Sequence, residues 1–202
     1  MNLLELVDLC ESRIDGLSRR RQGFEHLDVP EYVEILTEDL RAVSSDWDTA
    51  VGHLPGGSPA EVRGRARAVR DAATGLRTMR GVLRGPGASM PGTRSLDALA
   101  DTFDDYATAL ESGQARHTSG VARLRVARHG GTRLASVGGT APPEEVDAVS
   151  RAAIGVVDAA CAGYAACRDA YQAVLDAEET LRRALARLSD VQLPAAQVGE
   201  VT

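Results

Sequence analysis

Lysine is absent from this chain: all 23 basic side chains among its 202 residues are arginines, although Lys is ordinarily among the commoner residues. A genome rich in G and C, favouring Arg, Ala, Gly and Val codons, accounts for this without selection. The sharper alternative is selection against an amine open to acylation or conjugation. A Lys-bearing variant with unchanged half-life in its host would remove that alternative. Aromatic residues are scarce, with one Trp, four Tyr and two Phe, which speaks against a β-sandwich built on aromatic and β-branched side chains.

Cysteine is limited to Cys10, Cys161 and Cys167, too few and too oddly spaced for a disulfide framework or a zinc site. On one helix, Cys161 and Cys167 lie about 9 Å apart along the axis on different faces and cannot pair; small buried hydrophobes are the expected role. No metal ligand spacing joins His26, His53, His117 and His129, and no cofactor motif occurs, so no cofactor is expected. No run approaches a membrane span. The first ten residues carry Glu5 and Asp8 without a basic stretch, unlike a secretory signal. A cytoplasmic location and no membrane partner are the expectations.

Charge is present in blocks of alternating sign. The net values are −7 for residues 1–57, +6 for 58–94, −5 for 95–112, +5 for 113–143 and −5 for 144–202. Such segregation predicts basic helices facing acidic ones, within the chain or on a partner.

Hydrophobic periodicity predicts an all-α fold: an elongated bundle of about five helices containing a long antiparallel helical hairpin. Leu3, Val7, Cys10, Ile14 and Leu17 mark the first helix, with Arg19, Arg20 and Arg21 complementing its carbonyl end. Tyr32, Leu36, Leu40, Val43, Trp47 and Leu54 mark the second. The third opens on Ser58, Pro59 and Glu61, an S-x-x-E capping box, and continues along Val62, Ala66, Val69, Ala73, Leu76 and Leu83. Helices two and three are expected to form an antiparallel hairpin.

Beyond the Gly/Pro-rich stretch from Gly85, the residues Leu96, Leu99, Phe103, Tyr106 and Leu110 form a helical seam. Its register continues through Gly113, His117, Gly120, Leu124, Ala127, Gly131 and Leu134. Helix is preferred there over the competing strand, turn and strand of 121–137. The last helix repeats apolar residues every seven, at Val146, Ala153, Ala160, Cys167, Val174, Leu181 and Leu188, with Val149, Val156, Gly163, Ala170, Ala177 and Ala184 on the other half of its seam. Small residues there predict a close antiparallel neighbour. The expected organisation is a helix plus hairpin over 1–84, a linker over 85–94, a long hairpin over 95–191 and a flexible tail over 192–202.

Function is read from surfaces. Arg63, Arg67, Arg70, Arg77 and Arg84 group beside the apolar stripe of the third helix, and Arg123, Arg125 and Arg128 lie in a segment, 112–143, without a single acid. These are the candidate partner-binding residues. The favoured expectation is a non-enzymatic interaction or assembly module, an accessory subunit of a larger bacterial complex, docking an acidic or helical protein, with self-association through the long helix as a further outcome. The first alternative is nucleic-acid binding through 58–94 and 113–143, disfavoured by the negative net charge and the lack of aromatics for stacking. The second is a metal-dependent helical enzyme using Asp101, Asp104 and Asp105, which lacks a second ligand set. Asp158, the only charge between Ala152 and Cys167, is expected at a solvent-facing position, the alternative being a buried carboxylate paired with an Arg of another helix.

Overall fold

The computed structural model describes residues 2–23, 29–46, 51–84, 91–137 and 145–189. Five helices account for them: α1 (Leu3–Gly23), α2 (Val29–Asp46), α3 (Pro59–Arg84), α4 (Pro91–Val137) and α5 (Val146–Ser189). The fold is all-α, with no strand among the described residues. Trp47, His26, residues 85–90 of the expected 85–94 linker and the tail from residue 190 lie outside the described residues; residues 91–94 of that linker are instead the first turn of α4. Two compact units emerge, one from 1–57 with 109–175 and another from 58–108 with 176–202. Helices α4 and α5 each contribute to both.

Local sequence explains where the helices begin. Asn2 and Glu5 cap α1 reciprocally: the Asn2 amide donates to Glu5 Oε2 at 2.8 Å and the Glu5 amide donates to Asn2 Oδ1 at 2.9 Å. At α3, the Glu61 amide donates to Ser58 Oγ at 3.3 Å and the Val62 amide to the Ser58 carbonyl at 3.1 Å, as the S-x-x-E spacing predicts. Gly57 precedes this cap at φ 114°, a conformation other residues adopt only under strain.

In the first unit, α1 buries Leu6, Val7, Cys10 and Leu17, and α2 buries Tyr32, Val33, Leu36, Leu40 and Val43. The expected stripe of α2 is cut short: Leu54 is exposed and Val51 is fully buried instead, because the chain turns at residues 52–53. Residues 113–137 are helical, and the strand alternative is not adopted.

The seam register explains why so many glycines are tolerated there. A Cβ at Gly120 would stand 2.8 Å from both Cys167 Sγ and the Gly163 carbonyl oxygen, and one at Gly163 would stand 2.7 Å from Leu124 Cγ. The helices touch nearly backbone to backbone. Gly130 meets Val156, Gly120 meets Gly163, and Gly113 meets Ala170 and Val174. The numbers rise on one helix as they fall on the other, so α4 and α5 are antiparallel here. Ala153, Ala160, Cys167 and Val174, with Val149, Val156, Gly163 and Ala170, are all buried, the middle of the heptad seam read from sequence, while Val146, Ala177, Leu181, Ala184 and Leu188 are only half-buried.

In the second unit, Ala66 and Ala73 of α3 are buried, as are Leu99, Ala100 and Ala107 of α4. The α3 stripe fades toward its C-terminus. Leu76, expected inside, is exposed, as are Met79 and Val82.

Candidate functional site

The two arginine clusters differ in what they are bound to. In the second unit, two arginines of the α3 stripe are bound to α4. Arg70 reaches Asp101 at 2.8 Å and Asp104 at 2.6 Å, and Arg77 pairs with Asp97. Hydrogen bonds to Asp101 and then Asp104 raise the Arg70 pKa above its ordinary value. Arg63 is half-buried and Arg67 exposed; Arg84 ends α3, and its side chain lies outside the described residues.

The same contacts explain the Asp101, Asp104 and Asp105 cluster. Its first two carboxylates face a guanidinium, and among the described residues no group of three or more His, Cys, Asp or Glu is arranged to hold a metal ion.

In the first unit, the arginines of α4 stand otherwise. Arg116, Arg123, Arg125, Arg128 and Arg133 are all exposed. Arg116, Arg123, Arg128 and Arg133 make no side-chain ion pair among the described residues. Spaced by seven, Arg116 and Arg123 share a flank of the helix. Arg128 borders a groove between α2 and α4 of about 220 Å³, where Arg41 also stands. That groove runs into a larger one of about 550 Å³ edged by Glu31, Glu34 and Glu38. Arg133 borders a third, of about 540 Å³, between α4 and α5, floored by Leu134, Val149 and Val156. Val126 is exposed on the same helix. Arg116, Arg123 and Arg133, with Val126 exposed among them, are chemically suited to hold carboxylates beside an apolar side chain.

Polar groups inside the first unit are tied to one another. Asp46, at the end of α2, accepts from Arg13 Nε at 2.7 Å, Arg13 Nη2 at 3.1 Å and Tyr164 Oη at 2.8 Å. The hydrogen bond from Arg13 to Asp46 raises the guanidinium pKa, and burial followed by the Asp46 bond pushes the Tyr164 phenol far up. Asp158 faces solvent, as expected, and pairs there with Arg21 of α1 at 3.2 Å; the buried alternative is not adopted. Arg20 likewise reaches Asp39 of α2 at 3.1 Å; the last-turn arginines of α1 thus bind neighbouring helices.

A second buried group clasps residues 51–57. Gln114 Nε2 donates to the carbonyls of Pro55 at 3.1 Å and Gly57 at 3.0 Å. His117 Nε2 lies 2.7 Å from the Val51 carbonyl and 2.8 Å from Tyr171 Oη, while Tyr171 Oη lies 3.3 Å and 3.2 Å from the carbonyls of Val51 and His53. Sequence reasoning placed His117 on the seam but gave no sign of this clasp, because its acceptors are backbone carbonyls about 65 residues upstream.

Compared with known proteins, the chain matches no family model, no curated protein and no solved structure.

Proposed function

We propose that this protein is a non-enzymatic interaction module that docks an acidic protein surface or helix onto the basic face of α4 in the first unit, as an accessory subunit of a larger assembly. One contrast supports the reading. Arg70 and Arg77 of α3 are neutralised by Asp97, Asp101 and Asp104, whereas Arg116, Arg123, Arg128 and Arg133 project from a helix segment that has no acid of its own. Maintaining a single-sign surface costs self-repulsion, which a complementary partner relieves. The exposed face carries no Phe, Tyr or Trp for base stacking, so an acidic protein fits better than a single-stranded nucleic acid.

The test is a charge reversal of Arg116, Arg123 and Arg133 to Glu, read by light scattering and affinity recovery from host lysate at about 50 mM and about 500 mM salt. The expected result is a defined protein partner bound at low salt, released at high salt and lost in the variant. Recovery of the same partner by the variant overturns the reading. A salt-resistant homo-oligomer would replace it with self-assembly, and retained nucleic acid lost on reversal would replace it with nucleic-acid binding.

A further inference from the structure

The chemistry of the buried His117 is set by its neighbours. A carbonyl oxygen only accepts, so the 2.7 Å contact with Val51 requires the hydrogen to be on Nε2. Tyr171 Oη then takes a share of that hydrogen and sends its own proton to the carbonyl of His53 or Val51. Nδ1 is left as a bare acceptor. It is buried, with no hydrogen-bond partner among the described residues, on a side chain only 1% exposed.

We propose that His117 is an acid-sensitive latch: neutral, it holds Val51 to His53 against α4 and α5; protonated, it lets that stretch go. A proton on Nδ1 would create a buried N–H without an acceptor on a charged ring cut off from water, a state that favours opening to solvent. The Val51 carbonyl favours the charged ring through Nε2, but burial outweighs it. Tyr171 and Cys167 of α5 face it, with Cys10 of α1 behind them, and burial raises the pKa of all three, so they stay neutral in acid. His53, on the clasped stretch itself, lowers the His117 pKa further.

Burial, the largest cause, lowers the pKa of His117. A histidine held below its unfolded value contributes stability that is full above about pH 6.5 and is lost as pH falls below it. Opening of the latch therefore grows as pH falls below that point, by no more than about tenfold per pH unit. The Gln114 bonds to Pro55 and Gly57 involve no titrating group, so release is confined to the Val51 end. The latch thus acts on the connection that carries the chain from α2 to the Ser58 cap of α3.

The experiment is an NMR titration of the whole chain carrying His53→Asn, which removes the exposed neighbour's own titration. The His117 ring carbon and the amides of Val51 and Gly52 are followed from about pH 7.5 to about pH 4.5. A His117 midpoint well below 6.5, with the two amides moving in step, is the expected result. An ordinary or raised midpoint, or amides that stay still as His117 titrates, overturns the latch. Introducing His117→Gln, which keeps an Nε2 donor without a titrating group, is expected to abolish the amide movement; persistence of the movement overturns the proposal. Should that variant fail to fold, the His117 midpoint in the parent decides alone.

Discussion

Tyr164 of α5 and Asp46 of α2 are joined by a 2.8 Å hydrogen bond across 118 residues of sequence, on the same carboxylate oxygen that accepts from Arg13 Nε. One buried acid thereby ties together three helices of the first unit. Removing it strands a buried phenol and an Arg whose carboxylate is gone. Asp46→Ala is expected to cost about 3 kcal/mol in urea unfolding at neutral pH. Tyr164→Phe, which leaves the ion pair intact, is expected to cost about 1 kcal/mol. A cost below that of Tyr164→Phe for Asp46→Ala would show that Asp46 is not the anchor of the group.

Glycine substitutions should split by position. At Gly120 the new methyl would meet the Gly163 carbonyl and Cys167 Sγ at 2.8 Å. One of these neighbours is backbone and cannot swing aside. Gly120→Ala is expected to destabilise by about 2 kcal/mol despite the better helix propensity of Ala. At Gly155, which is exposed with nothing within 4 Å of a built Cβ, the same change is expected to stabilise by about 0.5–1 kcal/mol. Thermal melts of the two variants against the parent give the comparison, and equal shifts would contradict the close crossing of α4 and α5.

Why the seam was legible and the clasp was not follows from range. The heptads of α5 and the Gly113 to Leu134 register state their own burial, because a helix repeats its inward face at fixed spacing. The Ser58 cap is equally local. The carboxylate partners of Arg70 and Arg77 were foreshadowed by charge blocks, since opposite signs at neighbouring helices need no exact register. The clasp of His117 and Gln114 on residues 51–57 depends on backbone carbonyls, which every residue carries and no sequence pattern marks. Leu54 and Leu76 illustrate the same limit: their spacing continued a stripe, yet in the one case the helix had ended and in the other the cover had run out.

The ion pairs of the second unit should be specific in sign. Arg70 lies between Asp101 and Asp104 at 2.8 and 2.6 Å, on an exposed surface where salt screens the attraction. Arg70→Glu is expected to lower the melting temperature at low salt and to lose most of that effect at about 0.5 M salt. Adding Asp101→Arg and Asp104→Arg to Arg70→Glu is expected to restore it, because the pairs are re-formed with reversed sign. If the triple variant melts no higher than Arg70→Glu alone, the pairs do not operate as a unit.

The three cysteines should react in a set order. Burial, the largest cause in each case, pushes the thiols of Cys10 and Cys167 up to about 12, so that at pH 8 only about one part in ten thousand of each is thiolate. Cys161 is only half-buried, and although burial raises its pKa too, the Ser18 hydroxyl partly offsets this. Iodoacetamide at pH 8 is expected to label Cys161 alone in the folded protein and all three in denaturant, read by intact mass and peptide mapping. The sign also fixes the alkaline limit. A thiol whose folded pKa is raised contributes stability that is full below its unfolded value, near 9, and is lost as pH rises toward 12. Stability should therefore fall above about pH 9, and Cys10→Ala together with Cys167→Ala should flatten that fall even though each change costs packing at neutral pH. A double variant with an unchanged alkaline slope would assign the fall to the buried phenols of Tyr164 and Tyr171, which burial raises in the same direction.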